Sequence, residues 1–501
     1  MSIKSRLDAE LRTQALLAGG VELLAWDQEV CMPPAGVQGR ASLIGVLATL
    51  VHQRVVETIL PLLREAESDP NLDPETQAEI RILLEDAEMI EKLPADLVRA
   101  LSEAASLAQQ AWAQARHQSD FDSFRPHLEK LVHLSREKAA ALGYTQEPYE
   151  ALLRLYERST NPQQVEAIFA ELRPFLIETV RLCQANPVSG LEGVSLSLSA
   201  SDQRSLIREV VSRLGYDLNR GRIDESNHPF CTGINPDDVR ITVRIYEDDL
   251  TMALGSALHE MGHALYEQGL PREPLGWPRT HSASLSVHES QSRFWENHIG
   301  ASLGFWTFLY QKVLPAYQPA WLDEYSPLTL TRRVNRIQPG LIRIQSDEVS
   351  YHLHILLRFE LERALINGDL SVRDLPAAWN EKVKAYLGLT VPNDAQGVLQ
   401  DIHWSMGSFG YFPTYSLGSL LAAQLAESLT QTYPDWEDQL REGDGSLPLH
   451  WMREHIHQYG GRYRMQELCE KATGAPLSPK PFIRYIQRKA AQLYEGLAIP
   501  A

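Results

Sequence analysis

Cysteine is scarce in this 501-residue chain, and Cys31, Cys183, Cys231 and Cys469 stand far apart. No C-x-x-C pair exists to grip a structural zinc, and scattered thiols suit a reducing compartment better than a disulfide framework. Positive charge is also short. Lys and Arg number 47 against 65 Asp and Glu, a formal net charge of -18. A main partner rich in phosphate, such as nucleic acid, is thereby excluded, and the acidity reads as solubility. No uninterrupted run of about 18 apolar residues occurs, so neither a transmembrane helix nor a membrane partner is expected. The opening residues, Met1-Ser2-Ile3-Lys4-Ser5-Arg6, turn charged again at Asp8 and Glu10 and lack the apolar core of a signal peptide. The expected location is the cytoplasm.

What is present is a globular composition dominated by helical patterning. Hydrophobic residues make up 44% and charged residues 22%, which supports a large core and argues against disorder. From Pro74 to Gln118, apolar residues such as Ile80, Leu83, Leu84, Ala87, Ile90 and Leu97 recur at three- and four-residue spacing, which predicts amphipathic helix. Further helices are predicted near Leu128–Ala141, Pro162–Ala185 and Ser201–Leu214. Turn residues cluster over Asn186–Ser199 and Tyr216–Asp238. Between Asp238 and Tyr246 the pattern alternates, with Val239, Ile241, Val243 and Ile245 on one side, and predicts a strand. The expected fold is mainly α: a large two-lobed helical fold around a deep active-site cleft, with a small β-sheet beside the helix described next. One domain is expected over 1–501, with a scaffold lobe at 1–215, the active-site motifs at 216–425 and C-terminal helices at 426–501.

The segment Ala257-Leu258-His259-Glu260-Met261-Gly262-His263-Ala264-Leu265 contains H-E-x-x-H. On a helix, residues four apart project from one face, so both imidazoles can bind one ion. Glu260 stands where it can act as general base towards a metal-bound water, whose pKa zinc would lower towards roughly 7. Leu254, Ala257, Leu258, Ala264 and Leu265 surround the motif at helical spacing, as a buried active-site helix requires. A catalytic zinc needs a third ligand and an open position. Tyr266 and Gly269 occupy the places where one peptidase class carries Gly and His, so that class is excluded. In the following helix Glu289 is the leading candidate, with His288, His281 and Glu296 competing.

A peptidase must also hold its substrate. The strand Asp238–Tyr246 could pair with an extended peptide if it lies at a sheet edge. Arg240, Arg244 and Arg343 are candidate cations for a terminal carboxylate, which the forked guanidinium suits. Between Gly397 and Gly418 the chain runs Gln400-Asp401-Ile402-His403-Trp404, Gly407, then Gly410-Tyr411-Phe412-Pro413-Thr414-Tyr415. The glycines predict a loop, and its histidine and tyrosines are suitable donors to a tetrahedral intermediate. No Lys-Ser or Lys-Thr follows, so this is no phosphate cradle.

Taken together, these pieces resemble the thermostable (Taq-type) metallocarboxypeptidases. The likeness runs from Trp26-Asp27 and Met32-Pro33 through Asp238-x-Arg240-x-Thr242, His259-Glu260-x-x-His263, His288-Glu289-Ser290-Gln291-Ser292, Ile342-Arg343 and Gly397-x-x-Gln400-Asp401-x-His403-Trp404 to the Gly-Tyr-Phe-Pro-Thr-Tyr loop. One departure is Ser346-Asp347, where the family pattern has Ala-Asp. The resemblance implies Glu289 as third ligand beside His259 and His263, and Glu260 as base and proton shuttle. It implies Arg343 as carboxylate anchor, with Arg240 second, and His403, Tyr411 and Tyr415 as lining groups that stabilise the oxyanion. It further implies a homodimeric carboxypeptidase of broad specificity acting on peptides with Zn²⁺, or Co²⁺ in its place. An endo-oligopeptidase with the same zinc chemistry and a non-catalytic helical scaffold are the alternatives.

Overall fold

The computed structural model describes residues 1–188, 191, 195–494 and 496–500. The chain divides into two compact units, each assembled from three stretches: 1–91, 191–334 and 421–476 in the first, and 92–190, 335–420 and 477–501 in the second. The boundary at 91/92 falls inside the helical run predicted over Pro74–Gln118. That run is two helices, Pro74–Glu91 and Ala95–Gln118. Pro94 divides them because its ring forbids the residue before it a helical backbone. Ser119 then ends the second helix in the left-handed region, at φ 57°.

In the first unit, α1 (Ile3–Val30) starts at Ser2, whose hydroxyl accepts from the Ser5 amide. Its companion α2 (Val37–Arg54) has no buried residue at all. The helical stretch Pro34–Glu67 that includes α2 is long and apolar enough to cross a membrane by length and composition. It is not an uninterrupted apolar run, because Arg40, His52 and Arg54 punctuate it. Here those arginines pair inward, Arg40 with Asp27 and Arg54 with Glu10, each at 2.5 Å.

The sheet is also in this unit: β1 (Gly221–Glu225), β2 (Cys231–Asn235) and β3 (Asp238–Val243) in the order β1-β3-β2. β1 runs parallel to β3, with Arg222 opposite Arg240, and β2 antiparallel, with Thr232 opposite Arg240. Two of these strands lie within the stretch expected to be loop. They are short and rich in turn formers, and pairing to the apolar β3 holds them extended. β3 stops at Val243, short of Tyr246. The helix α3 (Leu250–Gly269) follows at once, its first turn capped by the Asp249 carboxylate accepting from the Thr251 amide. Next comes α4 (Leu285–Arg293), capped by Ser284 and continued by a wide helical turn over Phe294–Ile299. The turn-rich stretch 186–199 lies partly outside the described residues.

The second unit gathers Phe121–Leu142 and Pro162–Ala185, both matching the helical pattern of the sequence, around α5 (Ser350–Asn367). Fourteen of the eighteen residues of α5 are buried, among them His352, His354, Arg358 and Glu362. A helix buried on all sides that carries polar residues must supply each with a partner, and those partners define the second charged cluster below. The Gly397–Gly418 segment is only partly loop, because α6 (Pro413–Thr432) opens at Pro413 and takes Tyr415 onto its first turn.

Candidate active site

The apolar residues flanking H-E-x-x-H (Leu254, Ala257, Leu258, Ala264 and Leu265) are all buried, which fixes the rotation of α3. His259 and His263 therefore share its polar stripe. Their Nε2 atoms lie 3.7 and 3.5 Å from Oε2 of Glu289. Ligand atoms of His259, His263 and Glu289 all fall within 4.8 Å of one another, and among the described residues this is the group able to hold a metal ion. The two helices approach at Gly262, where a Cβ would sit 2.6 Å from Gln291 O and Ser292 Cα. No residue but glycine permits that spacing.

Behind the three ligands stands a further layer of bonds. His259 Nδ1 lies 2.8 Å from Oε2 of Glu296. His263 Nδ1 lies 2.5 Å from Nδ1 of His288, whose Nε2 is 2.7 Å from Oε1 of Glu267. Arg293 donates to Glu289 Oε1 at 2.7 Å and to Glu296 Oε2 at 3.1 Å, leaving Oε2 of Glu289 towards the histidines. Burial opposes a charge on His259, but Glu289 and Glu296 outweigh it and raise the imidazole to about 9. A field that holds a proton so firmly favours a divalent cation still more, and a bound metal would displace that proton. The donor set of two imidazoles and one carboxylate thus fits a catalytic metal. Glu260 is buried, and burial raises its carboxyl to about 7, partly offset by His259, so near neutrality it can both take and give a proton.

The second unit holds a cluster of opposite sign. Arg343 donates through Nε and Nη2 to Asp401 Oδ1, at 3.1 and 2.8 Å, and through Nη1 to the Tyr351 hydroxyl at 3.2 Å. Arg358, fully buried on α5, donates Nε to Asp401 Oδ2 at 2.7 Å and Nη1 to the His354 carbonyl at 2.7 Å. Burial resists the ionisation of Asp401, yet Arg358 and Arg343 together hold its carboxyl below the usual range. The Arg343 guanidinium also lies over the rings of Tyr415 and Phe412, at 5.2 and 5.6 Å. His403 stands beside this group with Nε2 3.3 Å from the Tyr415 hydroxyl and its ring 5.5 Å from that of Tyr411. Burial lowers His403 to about 4, so the ring is neutral, and its Nδ1 is buried with no hydrogen-bond partner. On α5, Glu362 accepts from the Tyr149 hydroxyl, the Trp404 indole and the Gly410 amide at 2.9, 2.8 and 3.1 Å, which pins both ends of the 404–410 loop.

Comparison with known proteins bears on both clusters at once. Residues 6–490 match the carboxypeptidase Taq (M32) metallopeptidase family. The chain belongs to that family. It is 40% identical over 499 residues to thermostable carboxypeptidase 1 of Thermus thermophilus, covering 96% of this chain and 97% of the relative. Carboxypeptidase 1 of Bacillus subtilis is 35% identical over 482 residues, 95% of each. The crystal structure of the M32 carboxypeptidase from Deinococcus radiodurans R1 matches with a TM-score of 0.96 at 35% identity, covering 99% of this chain and 100% of that one. The protein is a metal-dependent carboxypeptidase acting on peptides. Neither the endopeptidase nor the scaffold alternative gains support.

For an M32 enzyme, the structure sorts the sequence candidates. His259, His263 and Glu289 converge, as do Arg343, His403, Tyr411 and Tyr415. His288 and Glu296, weighed as ligands, instead hold the far nitrogens of the ligand histidines. His281 lies outside the metal group. β3 cannot accept a peptide as an edge strand, because β1 and β2 occupy both of its sides. Arg240 is engaged in a two-pronged pair with Asp238 at 2.8 Å and stacks 4.3 Å from the buried Trp26 ring, which Arg222 also approaches at 4.9 Å. Arg244 donates to the Asn227 carbonyl at 3.4 Å and lies over the Tyr246 ring at 5.2 Å. Sequence reading missed Arg358, Glu267 and Arg293. The last two had a signal: each follows a ligand by four residues, the spacing that stacks side chains on one helix face.

Proposed function

We propose that this M32 carboxypeptidase releases C-terminal residues from peptides with broad specificity, residues 1–501 acting as one catalytic domain. His259, His263 and Glu289 would hold zinc, or cobalt in its place, since imidazole nitrogens and a carboxylate suit both ions. Such an ion, when bound, supplies a Lewis acid for the scissile carbonyl and makes a water acidic near neutrality. Glu260 takes a proton from the attacking water at its carboxylate and passes it to the departing amine nitrogen. His403, with Tyr411 or Tyr415, donates to the carbonyl oxygen as it gains negative charge. Arg343 receives the terminal carboxylate, and Arg240, already paired, is the lesser substrate contact.

The supporting observation is a charge imbalance. Arg343 and Arg358 share the single carboxylate of Asp401, and neither guanidinium bonds another carboxylate among the described residues. The surplus positive charge complements a peptide's terminal carboxylate. Hydrolysis of N-acylated Ala-Arg, as free acid and as C-terminal amide, tests this before and after chelation. Cleavage of the acid alone, lost with chelator and restored by zinc or cobalt, is expected. Equal cleavage of the amide would remove Arg343 from its role.

The enzyme would act as a homodimer through the α1–α2 face. Leu16, Leu23, Val37, Leu43, Val46 and Leu50 are exposed there, and both arginines of α2 point to acidic partners on α1. A membrane-surface helix would present free basic residues on its polar face, whereas the exposed face of α2, which carries no Asp, Glu, Lys or Arg, matches a second copy of itself. Light scattering should give twice the chain mass, and single-chain mass for a Val46→Glu, Leu50→Glu variant; a monomeric wild type would sink the pairing. A cytoplasmic location accords with four free thiols.

A further inference from the structure

Each ligand histidine has one ring nitrogen turned away from Glu289, and the two are secured by unlike partners. On His259 that nitrogen meets a carboxylate directly, Glu296. On His263 it meets another imidazole. The rings of His263 and His288 are tilted by 31° with centroids 4.5 Å apart, and the two Nδ1 atoms lie at 2.5 Å. The remaining nitrogen of His288 lies 2.7 Å from Oε1 of Glu267, one turn beyond His263 on α3. Imidazole, imidazole and carboxylate thus form a bridge from α3 to α4 and back. We propose that His288 is a positioning residue that sets the tautomer and ring orientation of His263, with Glu267 as its anchor.

Donors and acceptors carry the argument. A ligand nitrogen must present its lone pair, and Nε2 is the nitrogen of His263 turned to Glu289. The ring proton of His263 then resides on Nδ1, which must donate. The side-chain acceptor it meets is Nδ1 of His288, whose own backbone also faces the ring, so the proton of His288 resides on Nε2 and is donated to Glu267. A carboxylate can only accept, so each link has one permitted direction and Glu267 fixes the order for both rings. Glu267 is itself confined. A Cβ at Gly233 on β2 would come within 2.8 Å of its Oε2, so the neighbouring strand keeps the carboxylate from swinging away. The inference rests on His263 being a metal ligand. It assigns His288 to a place where it supports metal binding without touching the ion.

The test uses the full chain and zinc alone, with affinity measured by competition against a chelator. His288→Leu removes both bonds and should weaken zinc binding about 10- to 100-fold. His288→Asn places an amide oxygen near the position of Nδ1, keeps an acceptor for His263 and should recover most of that loss. Glu267→Gln should fall between them. The melting midpoint of the metal-free protein should stay unchanged in all three, whereas a merely structural role would lower it. Nitrogen-15 spectra of histidine-labelled, zinc-loaded wild type should place the protons on Nδ1 of His263 and Nε2 of His288. Affinity of His288→Leu within about twofold of wild type, an Asn variant no better than Leu, or a proton on Nε2 of His263 would each overturn the proposal. Should the Leu variant not fold, the Asn and Gln variants and the spectra decide the matter. Zinc retained by His263→Ala at wild-type affinity would instead overturn the ligand assignment itself.

Discussion

The two units of this enzyme each enclose a dense charged cluster, and the clusters are unbalanced in opposite directions. In the first, Glu260, Glu289 and Glu296 gather around His259 and His263, with Arg293 the cation that the described ion pairs place among them. In the second, Arg343 and Arg358 share Asp401. Burying charge without a counter-charge costs several kcal/mol, so an imbalance that survives folding points to function. The first cluster is complementary to a metal cation, the second to an anion. A carboxypeptidase needs one of each. The arrangement also shows why Asp401 does not disqualify Arg343 as an anchor. One carboxylate cannot neutralise two guanidiniums, and it holds Arg343 in a fixed orientation.

If the first cluster supplies the base, Glu260→Gln should lower kcat by about 10²- to 10⁴-fold while elemental analysis still finds the metal. Activity within a few-fold of wild type would remove Glu260 from the chemistry. In the second cluster, Asp401→Asn leaves two buried guanidiniums without a counter-charge and should destabilise the protein by about 3–5 kcal/mol, read from denaturant midpoints. Arg343→Leu should behave differently, because Arg358 and Asp401 then balance one to one. It should fold, yet lose about 2–4 kcal/mol of transition-state binding for free-acid substrates, seen as a collapsed acid-to-amide ratio in kcat/KM. A variant that kept the ratio would break the comparison at its second half.

The smallest effect is a pH dependence within the second unit. Burial raises Glu362 from 4.5 to about 7. Between those values the folded protein keeps a proton that the unfolded chain has released, so this group's contribution to stability is full below 4.5 and declines as pH rises towards 7. Asp401 works in reverse, its contribution present above the ordinary carboxylate range and lost as pH falls. Glu362→Gln should therefore flatten the decline of the denaturation midpoint between about pH 4.5 and 7 and leave the acid-side loss intact. An unaltered profile would show that Glu362 does not titrate in that window.

What the sequence made legible depended on range. H-E-x-x-H, the helix around it and Pro162–Ala185 follow from spacing within a few turns, and they stand where periodicity places them. β1 and β2 escaped because five-residue strands rich in Gly, Arg and Asn carry little alternation of their own and owe their form to β3. The Asp401 cluster escaped for a different reason. Arg343 and Arg358 reach it across 58 and 43 residues of chain, and no periodicity reports such closure. The outer partners of the histidines lay between these cases. Glu267 and Arg293 have visible helical spacing, but only the packing of α3 on α4 turns that spacing into contact.

That packing has its own consequence, and it lies at a residue with no side chain. At Gly262 the two backbones meet so closely that even a methyl group would collide with Gln291 and Ser292. The jaw that closes on the metal, with histidines on one side and Glu289 on the other, therefore has its gape set by main chain against main chain. Side chains can swing to admit a larger ion, but two helices in backbone contact cannot draw nearer for a smaller one. The ions this site accepts should accordingly be limited more sharply on the small side than on the large, and Gly262→Ala should shift that limit by wedging the jaw open from behind.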